Sequence, residues 1–170
     1  MKSTIFFLLL FLLASIMQAQ NCATGNERYS AFNQKFEDEV LRLTNIERKK
    51  RGLKPLHWDQ QLAYASRYHA KQMAIENYFD HGSYVRDKRG KLVLICQTFE
   101  RIEKFANYSY LAENIYAGTI NPKDVVDTWM HSSGHRRNIL NKNMTKIGVG
   151  YYRIDNSDYK YYWVQDFGGE

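Results

Sequence analysis

The hydrophobic pattern of this chain changes period along its length, and that change constrains the fold more than any other feature. From Phe32 to Arg51 the apolar residues Phe36, Val40, Leu43 and Ile46 recur at three- and four-residue steps, the spacing of one helix face. Gly52 stands where such a helix would stop, and Pro55 separates it from the next element. Asp59 is placed to cap a second helix reaching about Asn77, with Leu62, Ala65, His69, Ala70 and Met73 along one stripe. The far end of the chain reads differently. Ile147–Ile154 and Tyr159–Phe167 are rich in β-branched and aromatic residues, and Asp155-Asn156-Ser157-Asp158 between them is turn material. Helices early and an antiparallel hairpin late predict an α+β domain.

Between these ends the signals are shorter. Phe79–Gly90 is polar and charged and reads as a loop, and Lys91–Phe99 is apolar and β-favouring. Asn121-Pro122 predicts a helix start, Asn at the cap and Pro in the first turn. That helix runs through Val125, Val126 and Trp129, with Gly134 expected to break it before a short helix from His135 to Leu140.

The N-terminus reads as an export signal over residues 1–21. Lys2 is followed by an almost wholly apolar run, Ile5 to Met17, too short to span a bilayer comfortably and of the size of a signal-peptide core. Cys22 lies just beyond it. A cysteine there predicts a lipoprotein, with Cys22 acylated and residues 22–31 serving as a tether to the membrane. The preceding residues depart from the common lipobox, with Ala19 and Asn21 in its key places. Cleavage after Ala19, giving a soluble secreted protein, is the alternative. Cys96 is the only other cysteine. It stands alone if Cys22 is acylated, and a Cys22–Cys96 bridge is open if it is not.

The remaining 149 of the 170 residues, the tether 22–31 and one domain over 32–170, suit a single core. Of the net charge of +6, only Lys2 lies in the leader. The positive residues cluster at Arg48–Arg51 and Arg86–Lys91. Such clusters favour anionic lipid or polyanion, but they read more simply as a solvated helix end and a loop. No aromatic-basic interleaving marks a nucleic-acid partner.

Several short motifs then fall in a fixed order: N-Y-F-D-H ending at His81, L-A-E-N-I-Y carrying Glu113, W-M-H-S-S-G-H-R-R-N-I-L from Trp129 to Leu140, I-G-V-G from Ile147, and Y-W-V-Q-D-F-G from Tyr162. Together they resemble the CAP superfamily (cysteine-rich secretory protein, antigen 5 and pathogenesis-related 1 proteins; the SCP domain), closest to its bacterial branch. The resemblance covers roughly Phe36 to Gly168. It implies an α-β-α sandwich with a central antiparallel sheet between helical layers.

It also implies a cleft containing His81, Glu113 and His135, with Asn114, Ser132 and Arg136 around it. Two imidazoles and a carboxylate suit Zn2+ or another divalent cation. In eukaryotic members a second glutamate stands where Ser132 stands here, so the acidic set is incomplete. The same residues without metal would hold a polar ligand, or merely tie loops together. His57 and His69 read as structural. His131 and His135 have the four-residue zinc spacing, but Gly134 and the missing H-E-x-x-H glutamate argue against a zincin. Ser132 or Ser133 beside His135 lacks a nucleophile elbow. The function implied is an exported, membrane-anchored binding protein at the cell surface or outer membrane, for a lipid, a sterol or a host protein. The alternative is a metal-dependent hydrolase acting on peptide or cell-envelope substrate.

Overall fold

The computed structural model describes residues 22–170; the expected export signal, residues 1–21, lies outside the described residues. Eleven elements follow in chain order: α1 Gln34–Lys49, β1 His57–Trp58, α2 Gln60–Glu76, β2 Ser83–Arg86, β3 Leu92–Cys96, α3 Thr98–Glu103, β4 Tyr110–Ala117, α4 Pro122–His131, α5 Ser133–Ile139, β5 Lys146–Arg153 and β6 Tyr161–Gly169. The main sheet has the order β1-β5-β6-β4. β5, β6 and β4 are antiparallel neighbours, and the short β1 runs parallel to β5. β2 and β3 form a separate antiparallel hairpin.

The helix starts follow from local chemistry. Asn33 caps α1, Asp59 accepts the backbone N–H groups of Gln61 and Leu62 at the head of α2, and Asn121 caps α4 with Pro122 in its first turn. α2 ends on Asn77 in the left-handed conformation (φ 51°), one of the few places where a non-glycine residue tolerates it.

Alternation along the strands builds two layers on the sheet. Ile147, Val149, Tyr151, Trp163 and Phe167 enter one core with Val40 of α1, Val125, Val126 and Trp129 of α4, and Ile139 of α5. On the opposite face Ile115, Tyr162 and Val164 meet Ala70, Met73 and Ala74 of α2. The I-G-V-G motif lets α2 lie directly on the sheet. A Cβ on Gly148 would fall 2.1 Å from the Ala63 nitrogen, and one on Gly150 2.3 Å from the Ser66 carbonyl carbon. The result is the α+β sandwich expected from the sequence.

Several local expectations change. The loop expected over Phe79–Gly90 contains β2, paired with the expected strand β3. α3 and β4, neither foreseen, carry Arg101 and Glu113. The break between α4 and α5 falls at Ser132, whose backbone is extended (φ −84°, ψ 125°), and Gly134 lies inside α5.

The largest correction is at the N-terminus. Cys22 is disulfide-bonded to Cys96, 74 residues away. A sulfur in a disulfide cannot also carry a thioether-linked lipid, so this structure is incompatible with acylation of Cys22. Residues 22–31 are also no tether. Ala23 is buried against Ala65 and Phe105, with Tyr64 and Tyr68 alongside. Tyr29 stacks on Tyr68, its carbonyl accepts from Arg67, and the Lys71 ammonium lies over its ring.

The basic run at the end of α1 divides as well. Arg48 is buried, and its guanidinium donates to the carbonyls of Lys54, Ile139, Asn141 and Met144, binding α1 to the segment after α5.

Candidate functional site

The site is assembled where the end of α2, the β2–β3 hairpin, α3, β4 and α5 converge. His69, on the apolar stripe of α2, donates from Nε2 to the Asp80 carbonyl at 3.0 Å and so fastens the loop that carries His81. Burial, helped by the Arg101 charge, lowers the His69 pKa to about 3, which leaves it neutral. The His81 carbonyl accepts from Thr98 Oγ1 (3.1 Å) and from Arg101 Nη1 (2.9 Å). The ring is thereby set at the surface, its side chain 48% exposed beside a Glu113 side chain that is 1% exposed.

Glu113 is the centre of the arrangement. Its Oε1 faces His81 Nδ1 at 2.8 Å, and its Oε2 accepts from Arg101 Nη2. Arg101 is fully buried and also donates to Ser83 Oγ. Burial opposes ionisation of Glu113, but the positive charge of Arg101 and the hydrogen bond from His81 outweigh it and hold the pKa down to about 2. The hydrogen bond to Glu113 raises the pKa of His81, while burial and the neighbouring His81 lower that of His135. Directly across the ladder from Glu113 is Asp166 of β6. It is buried, and its Oδ2 accepts from Ser66 Oγ at 2.8 Å. Burial, followed by the Glu113 charge, raises its pKa well above the ordinary range.

Strand alternation sends Asn114 to the other face. Its Nδ2 donates to the His135 carbonyl (3.2 Å) and to Gln165 Oε1 (3.1 Å). Asn138 Nδ2 donates to the Glu113 carbonyl and to Asn114 Oδ1. Gln165 Nε2 reaches Thr44 Oγ1 of α1 at 2.8 Å. This amide chain locks α5, and with it His135, onto β4. Ser132 serves the α4–α5 joint through its backbone: its N–H donates to the Thr128 carbonyl and its own carbonyl accepts from Arg136. The Arg136 guanidinium meets the Met130 carbonyl at 3.0 Å. His131 faces the Asp127 carbonyl at the exposed side of α4.

The structure therefore gathers His81, Glu113, Asn114 and His135 into one region and places Ser132 and Arg136 at its helical border. Arg101 and Asp166 complete it without having been foreseen. The Y-W-V-Q-D-F-G motif contained Asp166, but nothing in F-E-R-I-E distinguishes Arg101 from a solvated helix residue.

With both oxygens engaged, Glu113 offers no free oxygen to a divalent cation in this arrangement. Arg101 holds one Glu113 oxygen and His81 the other. Among the described residues, the one group with three converging ligand atoms is Cys22, Cys96 and Glu100, whose two sulfurs are bonded to each other.

An α-β-α sandwich with a histidine–glutamate pair at the edge strand of its sheet fixes a fold rather than any one activity. The model of the cysteine-rich secretory protein family, CAP, matches residues 41–167, and the chain belongs to that family. It is 40% identical over 136 residues to YkwD of Bacillus subtilis, an alignment covering 79% of this chain and 48% of that protein. It is 34% identical over 146 residues to the membrane protein YlbC of the same organism, covering 85% of this chain and 38% of that one. The chain thus spans half or less of the curated relatives it matches. Among solved structures it is similar to an extracellular SCP-domain protein of Bacillus anthracis, with TM-score 0.67, 30% identity, and 81% of this chain and 41% of that chain covered. An outer surface protein of Borrelia burgdorferi shares the fold, with TM-score 0.65, 22% identity, and 81% and 94% covered.

Proposed function

We propose that the protein is an exported CAP-domain binding module that takes an amphipathic ligand, a lipid or sterol, with the ligand's polar group in the cleft of His81, Glu113 and His135. One observation carries the reading: both oxygens of Glu113 are already engaged, by Arg101 and by His81. A carboxylate so held is neither an available general base nor an open metal ligand. What the cleft offers outward is the half-exposed His81 ring. Apolar surface lies next to it. Leu94 sits against Gly82, and Leu94 and Phe99 are 42% and 51% exposed. A polar group flanked by apolar surface suits an amphipathic ligand better than a peptide bond awaiting hydrolysis.

Export is supported by the apolar run Ile5–Met17, by a disulfide of the kind that persists in oxidising compartments, and by similarity to a Bacillus anthracis protein described as extracellular. With Cys22 in the disulfide, the secreted form is favoured over one anchored through a lipid on Cys22.

The test is equilibrium binding of a fluorescent sterol and a fluorescent fatty acid to the wild type, His81→Ala and His135→Ala. Loss of a hydrogen bond to a charged or polar head group weakens binding about tenfold, and that drop in the His81 variant is the expected result. Equal affinity in all three proteins places the ligand elsewhere and overturns the cleft reading. Failure of every lipid, with capture of a host surface protein that His81→Ala abolishes, replaces lipid by protein as the ligand. Peptide turnover that disappears in His135→Ala establishes the hydrolase instead.

A further inference from the structure

The β2–β3 hairpin carries a basic cluster that the cleft does not use. We propose that it is a peripheral docking element for an anionic lipid surface. The turn Asp87–Lys91 is ordered from within. The Asp87 N–H donates to the Lys91 carbonyl and the Gly90 N–H to the Asp87 carbonyl, both at 2.9 Å. The single acid of the turn is directed inward, its Oδ1 accepting from the backbone N–H groups of Arg89 (2.8 Å) and Lys91 (2.9 Å). Its ion pair with Arg89 is long at 3.6 Å. Arg86 is spent on the carbonyls of Glu76, Asn77 and Gly90, which staples the hairpin to the end of α2. The outward charge is therefore carried by Lys88, Arg89 and Lys91, all exposed. Such a cluster meets an anionic surface without first breaking strong ion pairs.

Charge alone would suit any polyanion. The distinguishing feature is the apolar surface behind it. Val93 and Leu94 on β3 are 43% and 42% exposed, and Phe99, at the start of α3, is 51% exposed. Val93 and Leu94 point to opposite faces of the strand, so the hairpin offers apolar side chains on both sides. Basic tip plus exposed apolar stem is the pairing that lies in a lipid interface, and a dissolved polyanion has nothing to receive the apolar part. β3 leads through Cys96 into α3, which bears Thr98 and Arg101. A docked hairpin would bring the cleft close to the membrane. Docking does not require that the cleft take a lipid: Lys88, Arg89, Lys91 and Val93 lie outside the cleft, of these hairpin residues only Leu94 is shared with its apolar rim, and the probe is a bilayer rather than a monomeric ligand.

The test is co-sedimentation of the disulfide-bonded protein with phosphatidylcholine vesicles, with and without phosphatidylglycerol. The proteins compared are wild type, Lys88→Glu/Arg89→Glu/Lys91→Glu, Val93→Ser/Leu94→Ser, and the control Lys50→Glu/Arg51→Glu at the end of α1. Binding is expected only to the anionic vesicles and to weaken as salt rises from about 0.05 to about 0.5 M. Charge reversal in the hairpin should lower partitioning at least about tenfold. The serine pair should lower it while leaving the salt dependence in place, and the control should match wild type. All substituted positions are exposed, and an unchanged near-UV circular dichroism spectrum verifies the fold. Absence of binding by wild type, or an equal loss in the control, overturns the proposal. Equally tight binding of soluble polyphosphate, indifferent to the serine pair, assigns the hairpin to polyanions and overturns it too.

Discussion

Among the described residues lie two buried carboxylate–guanidinium pairs, and they differ in what surrounds them. Glu37 of α1 pairs with Arg67 of α2, with Nη2 to Oε2 at 2.6 Å. The guanidinium also donates to Gln34 Oε1 and the Tyr29 carbonyl, and Glu37 accepts from the Tyr151 N–H. Glu113 pairs with Arg101 and with the half-exposed His81. Burial wins at Glu37, where the pKa is raised despite Arg67. At Glu113 the charge of Arg101, then that of His69 once protonated, and the hydrogen bond from His81 together reverse the outcome, and the pKa falls to about 2. The first pair is closed on itself and fastens the N-terminal segment and α1 to α2. The second is open on one side through His81. A buried ion pair becomes part of a candidate site when one of its members leaves the interior.

Breaking each pair should separate these roles. Arg101→Met and Arg67→Met each leave a buried glutamate without its cation, which costs roughly 3–5 kcal/mol. Both variants should lose that much in urea unfolding. Only Arg101→Met should also move the His81 ring resonances in NMR, because Arg101 holds both Glu113 and the His81 carbonyl. Equal movement of His81 in Arg67→Met would show that the two regions are not independent.

The disulfide gives a smaller and more even effect, because it touches both regions. Cys22 leads into the segment whose Tyr29 carbonyl meets Arg67, and Cys96 lies one residue before Gln97, which opens α3 and its Arg101. Closing so long a loop typically contributes about 2–4 kcal/mol. Cys22→Ser/Cys96→Ser should lower stability by about that amount and make the bond before Tyr29 accessible to protease. Protease resistance equal to wild type would mean that the packing of Ala23 and Tyr29 holds the segment unaided.

This contrast also separates what the sequence revealed from what it did not. Caps and periodicity are local, so α1, α2 and α4 were legible from Asp59, Asn121-Pro122 and the spaced apolar residues. The glycines of I-G-V-G, His81, Glu113 and His135 were legible by resemblance. Arg101 and Arg48 were not, because each resembles any exposed helical cation until a partner distant in sequence buries it. Cys22 misled for the same reason. Its position after an apolar run is a local signal for lipidation, whereas its bond to Cys96 depends on a fold that returns β3 to the N-terminal segment. Asp166 was visible as a letter in a motif, but its raised pKa follows from burial and from facing Glu113 across the ladder.

The pH dependence of stability provides the finest test, because the two glutamates act with opposite sign. The folded-state pKa of Glu113 lies below its ordinary value of 4.5. Its contribution is therefore present above pH 4.5 and is lost as pH falls from there toward about 2. The folded-state pKa of Glu37 is raised above 4.5. Its contribution is present below pH 4.5 and is lost as pH rises through the folded value. His69, neutral with a pKa near 3, steepens the acid limb in both variants alike, since its unfolded form takes up a proton first. Subtracting wild-type stability from that of Glu113→Gln across a pH series should give a difference that changes below pH 4.5 as Glu113 titrates, and again at higher pH where His81 and Asp166, whose pKa values Glu113 raises, titrate. The same subtraction for Glu37→Gln should change above pH 4.5, in the direction opposite to the acid step of Glu113→Gln. Superimposable difference curves would mean that both carboxylates sit in equivalent electrostatic surroundings, and the distinction between a closed pair and an open one would fail.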